Sequence, residues 1–368
     1  MTSGKVSVGI IGVGQIGKRH LETYLSLPEV KVAGICGRDP QKTEAVARQY
    51  DLPFWTTDYR VLLDRQDISA VSVCLHNNLH MPVSVAALQA GKHVLCEKPI
   101  AGSYADGRTM LDAAQQSKRL LSIQLSDLFS LETRAAMEAI QNGWLGTPYL
   151  AHSAGFRRRG RPYVDGYGTP SFVQKEAAGG GALYDLGVYH IANILYLLGN
   201  PKPIRISGKL YQQTSMDEAR RQESQFDVEE VALGTVALEK NITLTFIETW
   251  AMHLNQLDGS YITGSEGGVR LNPFGLYKSF GNLDLNASTD LAAFEFRQNT
   301  VGQMAGLFNG PVQHFVAAVQ GRAKPIPTAE IALNTMHILE GASLSDKLCR
   351  EVSATEVSEN SKSTSQSL

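Results

Sequence analysis

At 368 residues, 43% hydrophobic and 19% charged, the chain is long enough for two domains at ~150 residues each, both able to close a core without added staples. A formal charge of -2 excludes the basic footprint that nucleic acid or an anionic membrane demands. With no run of about 18 apolar residues, no basic n-region, and Cys36, Cys74, Cys96 and Cys349 too scattered for a zinc site, the expectation is a cytoplasmic protein with free thiols, no metal and a small neutral or mildly polar ligand.

From residue 5 to about 125, short apolar runs alternate with amphipathic stretches, the pattern of parallel strands joined by crossover helices. Strands are predicted at Val6–Ile11, Val30–Cys36, Ala70–Leu75, His93–Cys96 and Leu120–Leu125. Helices are predicted at Ile16–Leu27, Gln41–Tyr50, Tyr59–Asp64, Pro82–Ala90 and Tyr104–Ser117, with Asp58 and Ser103 as N-caps and Gly91 as a C-terminal stop. The rhythm changes near residue 126. A helix at Leu131–Asn142 precedes a second at Leu183–Leu198 and longer alternating runs at Val231–Leu238, Ile242–Ala251 and Tyr261–Leu271, which reads as an α+β domain with an antiparallel sheet. Asp217–Glu230 reads as an exposed connection, Pro311–Gln320 and Ala329–Lys347 as terminal helices whose apolar faces need partners, and Ser353–Leu368 as a disordered tail. The expected domains are therefore 1–125, 126–352 and the tail 353–368.

Gly12-Val13-Gly14-Gln15-Ile16-Gly17 follows the first strand and opens the first helix, the context that makes G-x-G-x-x-G a dinucleotide signal. Gly12 permits the tight turn, Gly14 lets backbone N–H groups approach a pyrophosphate, and Gly17 allows the helix to lie close to the strand. The loop residues Gln15 and Ile16 belong to the same site. At the end of the second strand an NAD enzyme usually carries an acidic residue for the ribose hydroxyls. Here Gly37 takes that place and Arg38 follows, which leans toward NADP over NAD; Asp39 remains able to reach the ribose, and Arg38 to stack on adenine or lie in solvent.

Val94-Leu95-Cys96-Glu97-Lys98-Pro99 puts an acid and a lysine at the carboxyl edge of the sheet, where α/β proteins bind ligands. The Glu97-Lys98-Pro99 triplet, Asn77 and His80 after the preceding strand, and Ala90-Gly91-Lys92-His93-Val94 leading into the lysine resemble the Gfo/Idh/MocA oxidoreductases, the glucose-fructose oxidoreductase and inositol dehydrogenase family. The resemblance covers nearly the whole chain. It implies an α/β protein with an N-terminal Rossmann domain, doubly wound on a parallel sheet, and a C-terminal α+β domain with an open, mostly antiparallel sheet. It further implies NAD(P), a sugar or cyclic polyol substrate held between the domains, and homodimers or homotetramers formed through that sheet. Leu75, His76, Asn77, His80, Glu97 and Lys98 would then join the cofactor site. Lys98 would bond the reacting oxygen and help carry its proton, its ammonium stabilising a developing alkoxide, with Glu97 holding it in place.

Gly179-Gly180-Gly181 leading to Asp185 resembles the family's second signature, in which a histidine commonly follows the aspartate by four residues; here that position is Tyr189, with His190 next. On a regular helix Asp185 and Tyr189 lie about 40° apart and His190 about 140° from Asp185, so Tyr189 is the better aimed. An imidazole titrates near neutrality and a phenol near 10, so His190 stays in contention if the helix begins irregularly. Asp185 is expected to bind a substrate hydroxyl or orient its neighbour. His76 and Ser126-Asp127 depart from the family pattern. Arg157, Arg158, Arg159 and Arg161 suggest an anionic substrate or a solvated or intersubunit loop, and Tyr163, Tyr167 and Trp250 are candidates to stack on a sugar. Two rival readings are a non-catalytic NADP-binding regulator and a reductase of an imine or unsaturated ring; Lys98 argues against the first.

Overall fold

The structure is a computed structural model that describes residues 4–300 and 310–366. The chain forms two compact units. One comprises the described residues up to Gln124, those from Gly310 to Glu330 and those from Ser363 onward; the other comprises Leu125 to Thr300 and Ile331–Lys362.

In chain order the first unit holds β1 (Val6–Ile11), α1 (Gln15–Leu25), β2 (Val30–Cys36), α2 (Pro40–Gln49), β3 (Trp55–Thr56), α3 (Tyr59–Leu63), β4 (Ala70–Val73), α4 (Asn77–Gln89), β5 (His93–Cys96), α5 (Tyr104–Ser117) and β6 (Leu121–Ile123). Its six strands run parallel in the order β3-β2-β1-β4-β5-β6. Because the order reverses between β1 and β4, the carboxyl ends of those strands border a topological switch point, where open α/β sheets bind ligands. All four residues of β4 are buried, as expected of a strand covered on both faces. Asp58 and Ser103 cap α3 and α5 as predicted, accepting from the Arg60 and Asp106 N–H groups.

The second unit holds α6 (Leu131–Gln141), β7 (Pro148–Phe156), the single turn α7 (Lys175–Ala178), α8 (Val188–Leu197), β8 (Pro203–Tyr211), α9 (Glu218–Ser224), β9 (Val231–Leu238), β10 (Ile242–Thr249), β11 (Tyr261–Gly264), β12 (Gly268–Arg270), β13 (Gly275–Phe280), β14 (Leu283–Ala287) and α10 (Leu291–Thr300). The chain continues through α11 (Pro311–Val319), α12 (Thr328–Leu348), β15 (Val352–Ser353) and α13 (Ala354–Asn360). Nine strands form an open sheet in the order β14-β13-β12-β11-β7-β10-β9-β8-β15, antiparallel except where β7 meets β10. The apolar face of α11 finds its partner in the first unit, where Val312, Phe315 and Val316 join Val8, Ile10, Ile35 and Leu95 in one core.

Three expectations are corrected. Helix α4 begins at Asn77, five residues before the predicted Pro82, although Pro82 has no N–H to give the Asn78 carbonyl. The Gln366 N–H supplies that bond instead, at 3.3 Å. Asp217–Glu230 is not a wholly exposed connection, because Asp217 caps α9 through the Arg220 N–H, and Glu229 and Glu230 are buried. Nor is the described part of Ser353–Leu368 disordered. Val352 pairs with Ile206 at the edge of the large sheet, and Ser353 and Glu356 form a reciprocal capping box at the start of α13. Further on, Thr364 donates its N–H to Asp106 at 2.9 Å. The segment lacks apolar periodicity, but Val352 and Val357, each 1% exposed, anchor it. Val357→Ala should therefore lower unfolding free energy by about 2 kcal/mol in a denaturant titration; an unchanged midpoint would mean that this segment does not pack.

Candidate active site

The glycine loop divides into two tight positions and one open one. Gly12 has φ +106°, and a Cβ there would stand 2.1 Å from the Cys74 carbonyl oxygen; a Cβ on Gly17 would stand 1.8 Å from the Gly12 oxygen. A Cβ on Gly14 would meet nothing within 4 Å. Gly14 is the N-cap of α1, which has no acidic residue in its first turn and no capping side chain among the described residues, while Gln15 and Ile16 are exposed. An open helix N-terminus that a Cβ would begin to fill suits the pyrophosphate of a dinucleotide. At the end of β2, Gly37 leaves no room for an acidic side chain, since even a Cβ would lie 2.4 Å from the Thr43 hydroxyl. Asp39 is committed to capping α2 through the Lys42 N–H, and Arg38 is exposed.

Lys98 follows β5 at the same sheet edge, and its surroundings are fixed from two sides. Glu97 accepts the Lys98 backbone N–H at 3.2 Å and bonds His20 Nε2 at 2.9 Å. His20 Nδ1 lies 3.2 Å from the Ser72 hydroxyl, which in turn bonds the Tyr24 hydroxyl at 2.9 Å. Burial alone would raise the Glu97 pKa, but the His20 bond and charge, the Lys98 N–H and the Lys98 charge outweigh it and hold the carboxyl below its ordinary range. Glu97 thus anchors the lysine's backbone. The second fixed point is His80, fully buried and bonded to the Pro99 carbonyl at 2.8 Å and the Leu75 carbonyl at 3.1 Å. His80, which the sequence reading places in the cofactor site, thus spends both ring nitrogens on the backbone at Leu75 and Pro99. Leu75 and Asn77 are partly exposed and His76 is exposed at the start of α4.

In the second unit the helix expected over Leu183–Leu198 begins irregularly, as a π-helical turn over Leu183–Gly187 that passes into α8. Its start is held by the buried Glu229 carboxylate, which accepts the Gly181 and Leu183 N–H groups at 2.8 and 3.0 Å. A π turn takes more residues per turn than an α-helix, so stepping at 100° per residue from Asp185 misplaces its successors. Asp185 accepts from Trp250 Nε1 at 3.0 Å and from Arg157 at 3.3 Å. His190 Nδ1 instead lies 2.8 Å from Glu248 Oε2, and Tyr189 is half-buried.

Trp250 is 1% exposed, which corrects its reading as a sugar-stacking ring. Arg161, also 1% exposed, is consumed by Asp165, Glu230 and two carbonyls, while Arg158 and Arg159 are exposed. Tyr167 is exposed on one side and donates to the Gly160 carbonyl, and the Arg220 guanidinium covers the Tyr163 ring at 4.6 Å. Sequence reasoning missed His20, Glu229 and Glu248. Their signal is a charged or titratable residue on an inward face: His20 shares a stripe with Gly17, Leu21 and Tyr24, and Glu248 continues the buried alternation Ile242, Leu244, Phe246.

Among the described residues no cluster of His, Cys, Asp and Glu is arranged to hold a metal ion, and no helix is long and apolar enough to cross a membrane. Residues 6–125 match the profile of the oxidoreductase family with an NAD-binding Rossmann fold, and residues 133–270 match the GFO/IDH/MocA C-terminal domain. The chain is 29% identical to D-glucoside 3-dehydrogenase of Escherichia coli over 75% of its own length and 80% of that protein. It is 24% identical to 1,5-anhydro-D-fructose reductase of Ensifer adhaerens over 88% and 90% of the two chains. A structure of levoglucosan dehydrogenase in complex with NADH and levoglucosan has the same fold, with a TM-score of 0.77 at 20% identity over 95% of this chain and 99% of that one. The two domain matches, together with a sheet order and glycine loop of the dinucleotide-binding kind, make this chain an oxidoreductase of the GFO/IDH/MocA family.

Proposed function

We propose that the protein is a NAD(P)-dependent dehydrogenase acting at a secondary alcohol or ketone carbon of a sugar, glycoside or cyclic polyol. The observation that carries the reading is Lys98, its N–H held by Glu97 and the next residue's carbonyl, Pro99, by His80, on the sheet edge that also presents the open helix N-terminus at Gly14. The glucoside and anhydrofructose specificities named for the relatives support the substrate class.

The α1 N–H groups after Gly12 and Gly14 would hold the pyrophosphate, and Arg38 the adenine ribose. Bound there, an oxidised dinucleotide would supply the hydride acceptor for the substrate carbon. Lys98 donates to the oxygen on that carbon and stabilises its developing negative charge. In the second unit Asp185, oriented by Trp250 and Arg157, would accept from a substrate hydroxyl, and Tyr163, Tyr189 and His190 are that unit's further candidates for substrate contact. We assign NADP as the preferred cofactor, because Gly37 admits no acidic side chain and Asp39 is occupied as a cap. The reading includes a cytoplasmic homodimer or homotetramer joined through the large sheet, whose Tyr149, Ile204, Tyr211 and Leu233 are exposed apolar side chains.

Absorbance at 340 nm with a panel of glycosides, anhydrosugars and inositols tests the activity. Lys98→Ala should lower turnover on the responsive substrate by about 10³-fold while dinucleotide still binds; near-normal turnover would remove the lysine from the chemistry. The ratio of kcat/KM for NADP over NAD should exceed one, and a ratio below one would reverse the cofactor assignment.

The Glu97 bonds carry a pH signature. A carboxyl whose folded pKa is lowered stabilises the fold fully above its unfolded value, ~4.3, and loses that contribution as pH falls through the lowered one. Removing His20 takes away two of the influences that lower the Glu97 pKa, its bond and its charge, so Glu97 should protonate at higher pH. In His20→Ala the loss of melting temperature on acidification should begin at a higher pH than in wild type; coincident acid limbs would contradict this account of Glu97.

A further inference from the structure

We propose that residues 363–366 form a detachable clasp on the first unit, and that its docking and dinucleotide binding reinforce one another. The inference rests on the dehydrogenase reading above. Ser363, Thr364, Ser365 and Gln366 belong to the same compact unit as the parallel sheet. Thr364 gives both its N–H and its hydroxyl to Asp106 Oδ2, at 2.9 and 3.2 Å, and the Gln366 N–H goes to the Asn78 carbonyl at 3.3 Å.

Three residues of the unit are shaped for this segment. Asp106, in the first turn of α5, is 2% exposed; a carboxylate withdrawn from water needs donors, and Thr364 supplies two at one oxygen. Pro82 has no N–H for the Asn78 carbonyl, so α4 leaves that acceptor open to Gln366. At Gly102 a Cβ would stand 2.3 Å from the Thr364 hydroxyl oxygen, and the three nearest atoms it would meet all belong to Thr364. The side chain missing at 102 is the room that Thr364 fills.

These attachment points lie on the two chain segments that leave β4 and β5. The buried His80 joins those segments through the Leu75 and Pro99 carbonyls, and the clasp joins them a second time, through Asn78 on one and Asp106 on the other. The cofactor-site candidates Leu75, His76, Asn77 and Lys98 belong to the segments so bridged. A dinucleotide that needs them ordered binds better when the clasp is docked, and by linkage the clasp docks better, by the same factor, when the dinucleotide is bound. The clasp can open by itself. Ser363, Thr364 and Gln366 are exposed and none of the four residues is apolar, so no buried side chain of the kind that anchors Val352 and Val357 holds it down.

Gly102→Ala tests the clasp in the full chain. The added Cβ should expel Thr364, weaken the Kd for NADP and NAD about tenfold in calorimetric titration, and speed amide hydrogen exchange at Thr364 and Gln366. Adding Thr364→Gly removes the colliding side chain, keeps the N–H that Asp106 accepts, and should restore most of the lost affinity. In wild type, saturating dinucleotide should slow exchange at Thr364. Equal or tighter binding in Gly102→Ala, a loss that Thr364→Gly fails to restore, or Thr364 exchange indifferent to dinucleotide would overturn the proposal. Each of those results leaves the dehydrogenase reading standing, because wild type still binds; a wild type that binds neither NADP nor NAD would fault that reading first.

Discussion

Backbone meets backbone at the end of β1, and the rest of the first unit's chemistry depends on that approach. Gly12 lies against the Cys74 carbonyl and Gly17 against the Gly12 carbonyl, both closer than any side chain would permit. First helix, first strand and fourth strand are thereby locked at the point where the strand order reverses, and the helix N-terminus is left open beside Gly14. Backbone N–H groups at a helix end are fixed partial charges that need no reorganisation when an anion arrives. The same edge is stiffened by His80, which ties the segment after β4 to the one after Lys98. An open helix N-terminus and a lysine on one sheet edge suit what a hydride-transferring enzyme requires of its dinucleotide domain.

Much of this was legible in the residues. Alternation of apolar runs with amphipathic stretches identified five of the six parallel strands; β3 escaped because two residues, Trp55 and Thr56, carry no periodicity. The glycine loop and the Glu97-Lys98-Pro99 triplet lie in continuous sequence, so their spacing reports their geometry. The capping box at Ser353 and Glu356 was equally visible, but a polar composition outweighed it, and the short helix it starts was missed.

What stayed hidden are bonds between residues far apart in the chain. His20 and Glu97 are 77 positions apart, Ser153 and Glu248 95, and His190 and Glu248 58. Each pair is produced by strand or helix neighbours that only the topology reveals. A second obstacle was the assumption of regular helix geometry: the π turn over Leu183–Gly187 breaks the 100° count that favoured Tyr189. The available hint was the clustering of three glycines before it, together with a glutamate, Glu229, on the neighbouring segment that accepts the buried Gly181 and Leu183 N–H groups.

The open position of the loop allows a direct test of the central claim, because at Gly14 fold and binding separate. Ala at this N-cap meets no protein atom within 4 Å, so its effect on unfolding free energy should stay within about 1 kcal/mol. Calorimetric titration with the dinucleotide should show tight binding to wild type and at least a tenfold weaker Kd in Gly14→Ala. Equal affinity in the two proteins would place the dinucleotide elsewhere and contradict the account.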